Sequence, residues 1–110
     1  MRIELDAVYA AAPLRAMAPE TRKAIRSALR KLAADPSGRT VDLDVKALDL
    51  GDGPPVHRLR VGEWRAAFIV GKELIRVLRV FHRSDGYDWV DDVRLGQAID
   101  DDVERGKKRK

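Results

Sequence analysis

Cysteine is absent from this 110-residue chain, and histidine occurs only twice, as His57 and His82. Without thiols there is no disulfide framework, no thiolate-held zinc or iron–sulfur cluster and no cysteine nucleophile, and two imidazoles leave little for a metal cage. Metal catalysis would have to rest on carboxylates, and no cofactor is expected. Long apolar runs are missing as well. The longest, Ala66 to Val70, falls far short of the roughly 20 residues that a membrane span needs, and the N-terminus lacks the basic-then-apolar pattern of a secretory signal. A cytoplasmic location is the expectation. What the chain does have is 45% hydrophobic and 36% charged residues, a globular composition in a length that suits one domain.

The net charge of +4 conceals three blocks. Residues 1–84 carry 16 Lys/Arg against 10 Asp/Glu, residues 85–104 carry Arg94 against eight acids, and residues 105–110 add five basic side chains. A basic body favours a polyanionic partner, because lysine and arginine gain by displacing counterions condensed on phosphates. The ordinary alternative is solvated surface charge. The tail Arg105-Gly-Lys-Lys-Arg-Lys110 reads as a self-repelling disordered segment rather than a binding arm.

Along the chain, Arg2 to Leu5 alternates like a short strand. Val8 to Met17 is alanine-rich and reads as a helix limited by Pro13. Pro19 opens a second helix, with Glu20 well placed for its dipole and Ile25, Ala28, Leu29 and Leu32 on one face. Asp35-Pro36-Ser37-Gly38 stops it. Val41 to Val45 alternates like another short strand, and Gly51 to Pro55 reads as a loop. Three β-rich runs follow, Val56–Val61, Trp64–Val70 and Leu74–His82, separated by Gly62-Glu63 and Gly71-Lys72. The stretch from Asp91 to Glu104 is either a short final helix or a frayed tail.

A two-residue turn at Gly62-Glu63 sets Val61 opposite Trp64, Arg60 opposite Arg65 and Leu59 opposite Ala66. Alternation then gives Leu59, Val61, Trp64, Ala66 and Phe68 one face, and Arg58, Arg60 and Arg65 the other. Like charges directly opposite are destabilising unless an anion lies between them, which favours a phosphate site. Splayed, solvated arginines are the alternative. The second hairpin is ambiguous: one loop length puts Arg76 and His82 on the arginine face, another puts Arg79 there. Beyond it, His82-Arg83-Ser84-Asp85-Gly86-Tyr87 gathers an imidazole, a guanidinium and a phenol at the end of the last strand.

These segments resemble the RelE-like toxins of type II toxin–antitoxin modules, in the RelE/ParE superfamily. Ala11 to Pro36 is similar to the family's helical hairpin ending in a leucine, two small positions and Asp-Pro. His57-Arg-Leu-Arg-Val-Gly-Glu-Trp-Arg65 is similar to its RLRVGDYR hairpin, and Arg76 to Tyr87 to its last strand and HRxDVY ending. The resemblance implies an α+β, microbial-RNase-like fold over residues 1–90, with 91–110 as an extension: a short N-terminal strand, a helical hairpin, then a three- to four-stranded antiparallel sheet. It also implies ribosome-dependent, metal-independent mRNA cleavage by attack of the ribose 2′-OH on the adjacent phosphate.

Carried over by motif, Arg65 stabilises the phosphate and Arg58 and Arg60 take the place of a basic pair that is often lysine in the family. Arg83 becomes the candidate acid or charge stabiliser, and Tyr87 the candidate base. Tyrosine, with an ordinary pKa of about 10, is a weak base at neutral pH, but neighbouring arginines favour phenolate. Histidine as a residue type titrates near neutrality, so His82 is a rival for either role. Trp64 either stacks on a base or packs. The expected partners are mRNA, the ribosome and a RelB-like antitoxin in a higher-order complex. Two other outcomes stay open: a ParE-like inhibitor of DNA gyrase without chemistry, and a degenerate relative that only binds antitoxin.

Overall fold

The computed structural model describes residues 1–39, 41–48 and 55–85. Tyr87, the expected extension over 91–110 and its basic tail lie outside the described residues. Chain order is β1 (Arg2–Leu5), a π-helical turn (Ala7–Ala11), α1 (Ala12–Ala16), α2 (Pro19–Ala34), β2 (Asp44–Leu48), β3 (Val56–Val61), β4 (Trp64–Val70), β5 (Leu74–His82) and a 3-10 turn (Arg83–Asp85). Five strands form one sheet in the order β1-β5-β4-β3-β2. This is the expected α+β architecture with one addition. β1 joins β5 in parallel, and every other neighbour is antiparallel.

Local chemistry accounts for the helices. The Asp6 carboxylate accepts from the backbone N–H groups of Val8 and Tyr9, which satisfies two donors that a helix start otherwise leaves unpaired. The alanine-rich run is a π turn passing without a break into α1, where Ala11 and Ala12 N–H donate to the Asp6 and Ala7 carbonyls and Pro13, next in line, has no N–H to continue the series. In α2, Pro19 likewise stands in the first turn, and Asp35 leaves the helix in an extended conformation ahead of Pro36. Ile25, Ala28, Leu29 and Leu32 are buried, the stripe that their spacing predicts.

That stripe packs with Leu14, Leu59, Ala66, Phe68, Ile75, Val77 and Val80 in one apolar core between the helices and the sheet. Phe68, Leu59, Ile75 and Val77 are wholly buried, so the middle of the sheet is anchored to the helices. The β3–β4 register is the expected one, with Val61 opposite Trp64, Arg60 opposite Arg65 and Leu59 opposite Ala66. Gly62 at the turn has φ +59°, a conformation that glycine takes without strain. Two details differ from expectation. β2 begins at Asp44 and not at Val41, because Asp42 has φ +56° and breaks extended geometry before it. β4 and β5 are joined through Lys72-Glu73, since Gly71 N–H donates to the Leu74 carbonyl and Val70 pairs with Ile75.

Candidate RNA-binding face and strand-end cluster

Between Ala67 and Phe68 the β4–β5 register slips by one residue: Phe68 faces Val77, whereas Ala67 faces Arg79. A bulge of this kind gives one strand two neighbouring residues on the same side. Here it resolves the ambiguity of the second hairpin. Arg76, opposite Ile69, and Arg79, opposite Ala67, both join the side of Arg58, Arg60 and Arg65, while His82, opposite Trp64, goes to the other side. Five arginines from three adjacent strands therefore share one face. A smaller apolar cluster of Val56, Ala67, Leu78 and Phe81 is buried among them, and Leu48 and Ile69 pack against it.

β2 adds Asp44, Lys46 and Leu48 to this side, paired with Arg60, Arg58 and Val56 in turn. Asp44 meets two guanidinium groups, at 2.9 Å from Arg58 Nη2 and 3.9 Å from Arg60 Nη1. The juxtaposed Arg60 and Arg65 avoid one another by turning to different acceptors. Arg60 leans toward Asp44, whereas Arg65 Nη1 donates to the carbonyls of Gly62 and Trp64, each at 2.9 Å. Arg65 is thereby held against the hairpin turn by backbone that the β3–β4 register fixes. The Arg58 side chain is only 16% exposed, and its Nε is buried with no hydrogen-bond partner. The Arg79 guanidinium stands 5.2 Å from the centre of the Tyr9 ring.

The strand-end cluster is built differently. His82 and Trp64 meet edge to face, ring centroids 5.3 Å apart. Ser84 N–H donates to His82 Nδ1 at 3.2 Å, Ser84 Oγ lies 2.8 Å from the same nitrogen, and Nε2 stands 3.4 Å from Glu63 Oε2. Glu63 also faces Arg83 Nη2 at 3.6 Å, and its carbonyl accepts from the Arg83 N–H at 2.8 Å. One acidic side chain at the β3–β4 turn thus ties down both candidate residues at the end of β5. Trp64 packs against the helix-side core and lines a groove of about 430 Å³ with Glu20, Ala24, Ile25 and Val61.

Of the residues singled out in the sequence, Arg58, Arg60 and Arg65 come together, and Arg76 and Arg79 join them. His82 and Trp64 stand across the sheet from that group. Arg83 is beside Glu63, and Tyr87 lies outside the described residues. His57 stacks on Phe68, whereas His82 is opposite Trp64, so four positions of β4 separate the two histidines. Among the described residues no three His, Asp or Glu side chains gather as a metal site, and no helix is long and apolar enough to cross a membrane. Asp44 is the site residue that sequence reasoning missed. Its alternation with Val41, Leu43 and Val45 was visible, but its partner on β3 depends on a β2–β3 register that no local signal states.

The family model described as ParE toxin of type II toxin–antitoxin system, parDE, matches residues 3–87. Among solved structures, the chain is similar to the archaeal RelE–RelB complex from Pyrococcus horikoshii OT3, at 19% identity and TM-score 0.63, covering 74% of this chain and 93% of that one. It is also similar to the RelB–RelE antitoxin–toxin complex from Methanococcus jannaschii, at 23% identity and TM-score 0.61, covering 78% and 96%. At these identities the structural likeness speaks for the fold. No curated protein matches the chain.

Proposed function

This chain belongs to the ParE toxin family of type II toxin–antitoxin systems, within the RelE/ParE superfamily, and from that premise we propose that it is a ribosome-dependent, metal-independent mRNA endonuclease. The observation that carries this reading is the gathering of five arginines on one sheet face, with Arg65 fixed against the β3–β4 turn. Such a surface suits a phosphodiester backbone, to which guanidinium groups donate paired, charge-assisted hydrogen bonds.

In the proposed reaction the ribose 2′-OH loses its proton and its oxygen attacks the adjacent phosphorus. The bond from phosphorus to the 5′-oxygen breaks, and that oxygen takes up a proton, leaving a cyclic 2′,3′-phosphate and a 5′-OH. Arg58, Arg60 and Arg65 supply positive charge where the phosphorane-like transition state accumulates negative charge. Proton transfer falls to Tyr87 as base and Arg83 as acid or charge stabiliser. The position of His82, across the sheet and held by Ser84 and Glu63, weighs against it as a direct participant.

The solved neighbours are toxins in complex with RelB. By extension, a RelB-like antitoxin whose amphipathic segments wrap the domain and cover part of the arginine face is the proposed partner here. A second reading has its own support. The matching model is named for ParE, the branch that the resemblance links to inhibition of gyrase without chemistry. Brief induction in a bacterial host, with labelled amino acid and labelled thymidine followed in parallel, separates the two. The endonuclease stops amino-acid incorporation first, and a gyrase inhibitor stops thymidine incorporation first.

A further inference from the structure

Asp44 is an acidic side chain set among the cations of the arginine face, and the sheet puts it there. β2–β3 pairing sets it opposite Arg60 and diagonal to Arg58, and its two carboxylate oxygens take one guanidinium each. A carboxylate and a phosphodiester are chemically alike in this respect: each bears one negative charge shared over two equivalent oxygens. We propose that Asp44 is an internal stand-in for a substrate phosphate, holding Arg58 and Arg60 in the free protein and giving them up when an RNA backbone phosphate arrives. The inference rests on the RNA-binding reading above and adds to it a residue that regulates the same face.

Three features fit an exchangeable occupant better than a permanent structural pair. Asp44 and Arg60 are about half exposed, at 51% and 54%, so incoming phosphate reaches the pair from solvent. The Arg60 contact is long at 3.9 Å, and a weak contact of this kind is readily replaced. Arg58 Nε is buried without a partner among the described residues, so Asp44, engaging only Nη2, leaves this guanidinium incompletely satisfied. Lys46, exposed and opposite Arg58, adds a third cation at the same place. Binding is then an exchange of anions, and its affinity is set by the difference between phosphate and Asp44 as ligands for the two arginines.

The test is titration of the full chain with a labelled single-stranded RNA oligonucleotide at several salt concentrations, read by fluorescence anisotropy. D44N keeps a hydrogen-bond acceptor and removes the charge. It should bind about tenfold more tightly, the worth of roughly one charge-assisted hydrogen bond. Its salt dependence should steepen by roughly 0.7 in log–log slope for each further phosphate that the freed arginines neutralise. D44S, with a smaller side chain, should do the same and guards against a fold defect peculiar to one variant. E20Q makes the same change of net charge in the first turn of α2 and should shift affinity less than twofold. The triple variant D44N/R58Q/R60Q should lose the whole improvement.

Affinity of D44N at or below that of the unaltered chain overturns the proposal. So does an improvement matched by E20Q, or one that survives loss of Arg58 and Arg60. Absence of RNA binding by both the unaltered chain and D44N overturns it as well. The endonuclease reading is judged separately, by transcripts in the cell. Tighter binding by D44N without any transcript cleavage removes that reading and leaves Asp44's role, and cleavage with no tightening does the reverse.

Discussion

On β4, Trp64, Ala66 and Phe68 point to the helices, whereas Arg65, Ala67 and Ile69 point the other way, and the two sides of this strand treat charge in opposite fashion. Among the described residues the helix-side core is apolar, and charge stands at its rim, where Glu63 faces His82 and Arg83. The opposite side crowds five arginines from three strands around a small apolar cluster. The Asp44 carboxylate and two backbone carbonyls relieve the repulsion among Arg58, Arg60 and Arg65. Packing on the first side therefore makes the fold. Charge on the second side opposes it locally, and its proposed return is the binding of phosphate.

The comparison is most severely tested by Phe68→Ala. This wholly buried ring lies at the centre of the helix-side core, and its loss should cost about 3–5 kcal/mol in urea unfolding, a large share of a small domain's stability. Arg65→Ala should do the opposite: near-native circular dichroism, with transcript cleavage reduced by about a hundredfold or more. Smaller effects should divide the faces further. Arg60→Gln should weaken RNA binding about fivefold and make its salt slope shallower by about 0.7, whereas Trp64→Leu should leave both unchanged within about twofold. If Trp64→Leu instead weakened binding as Arg60→Gln does, the assignment of Trp64 to packing would fail. The smallest change belongs to Glu63→Gln. Its ion pairs are well exposed, so unfolding should shift by less than about 1 kcal/mol.

Where the sequence was legible, the signals were local. Pro19, the stripe from Ile25 to Leu32 and the Asp35-Pro36 stop delimit α2 without reference to the rest of the molecule. Gly62-Glu63 sets the whole β3–β4 register, and with it the faces of Arg58, Arg60 and Arg65. What escaped depended on pairing between distant segments. Nothing in Arg2–Leu5 states that it lies parallel to β5, and nothing near Asp44 names Arg60 as its neighbour. The bulge opposite Ala67 and Phe68 was equally hidden, because β5, with Arg76 and Arg79 three positions apart and apolar doublets at Val77-Leu78 and Val80-Phe81, has no simple alternation to phase it. That one inserted position moved His82 away from the arginine face and allowed Arg76 and Arg79 to share it.

The central claim is that the arginine face engages mRNA and that Arg65 supports its cleavage. Primer extension on an abundant transcript, within minutes of inducing the unaltered chain or Arg65→Ala, tests it most directly. Cuts in phase with codons that appear with the unaltered chain and vanish with Arg65→Ala are the predicted result. An intact transcript under the unaltered chain, in cells whose DNA synthesis has stopped, would contradict it.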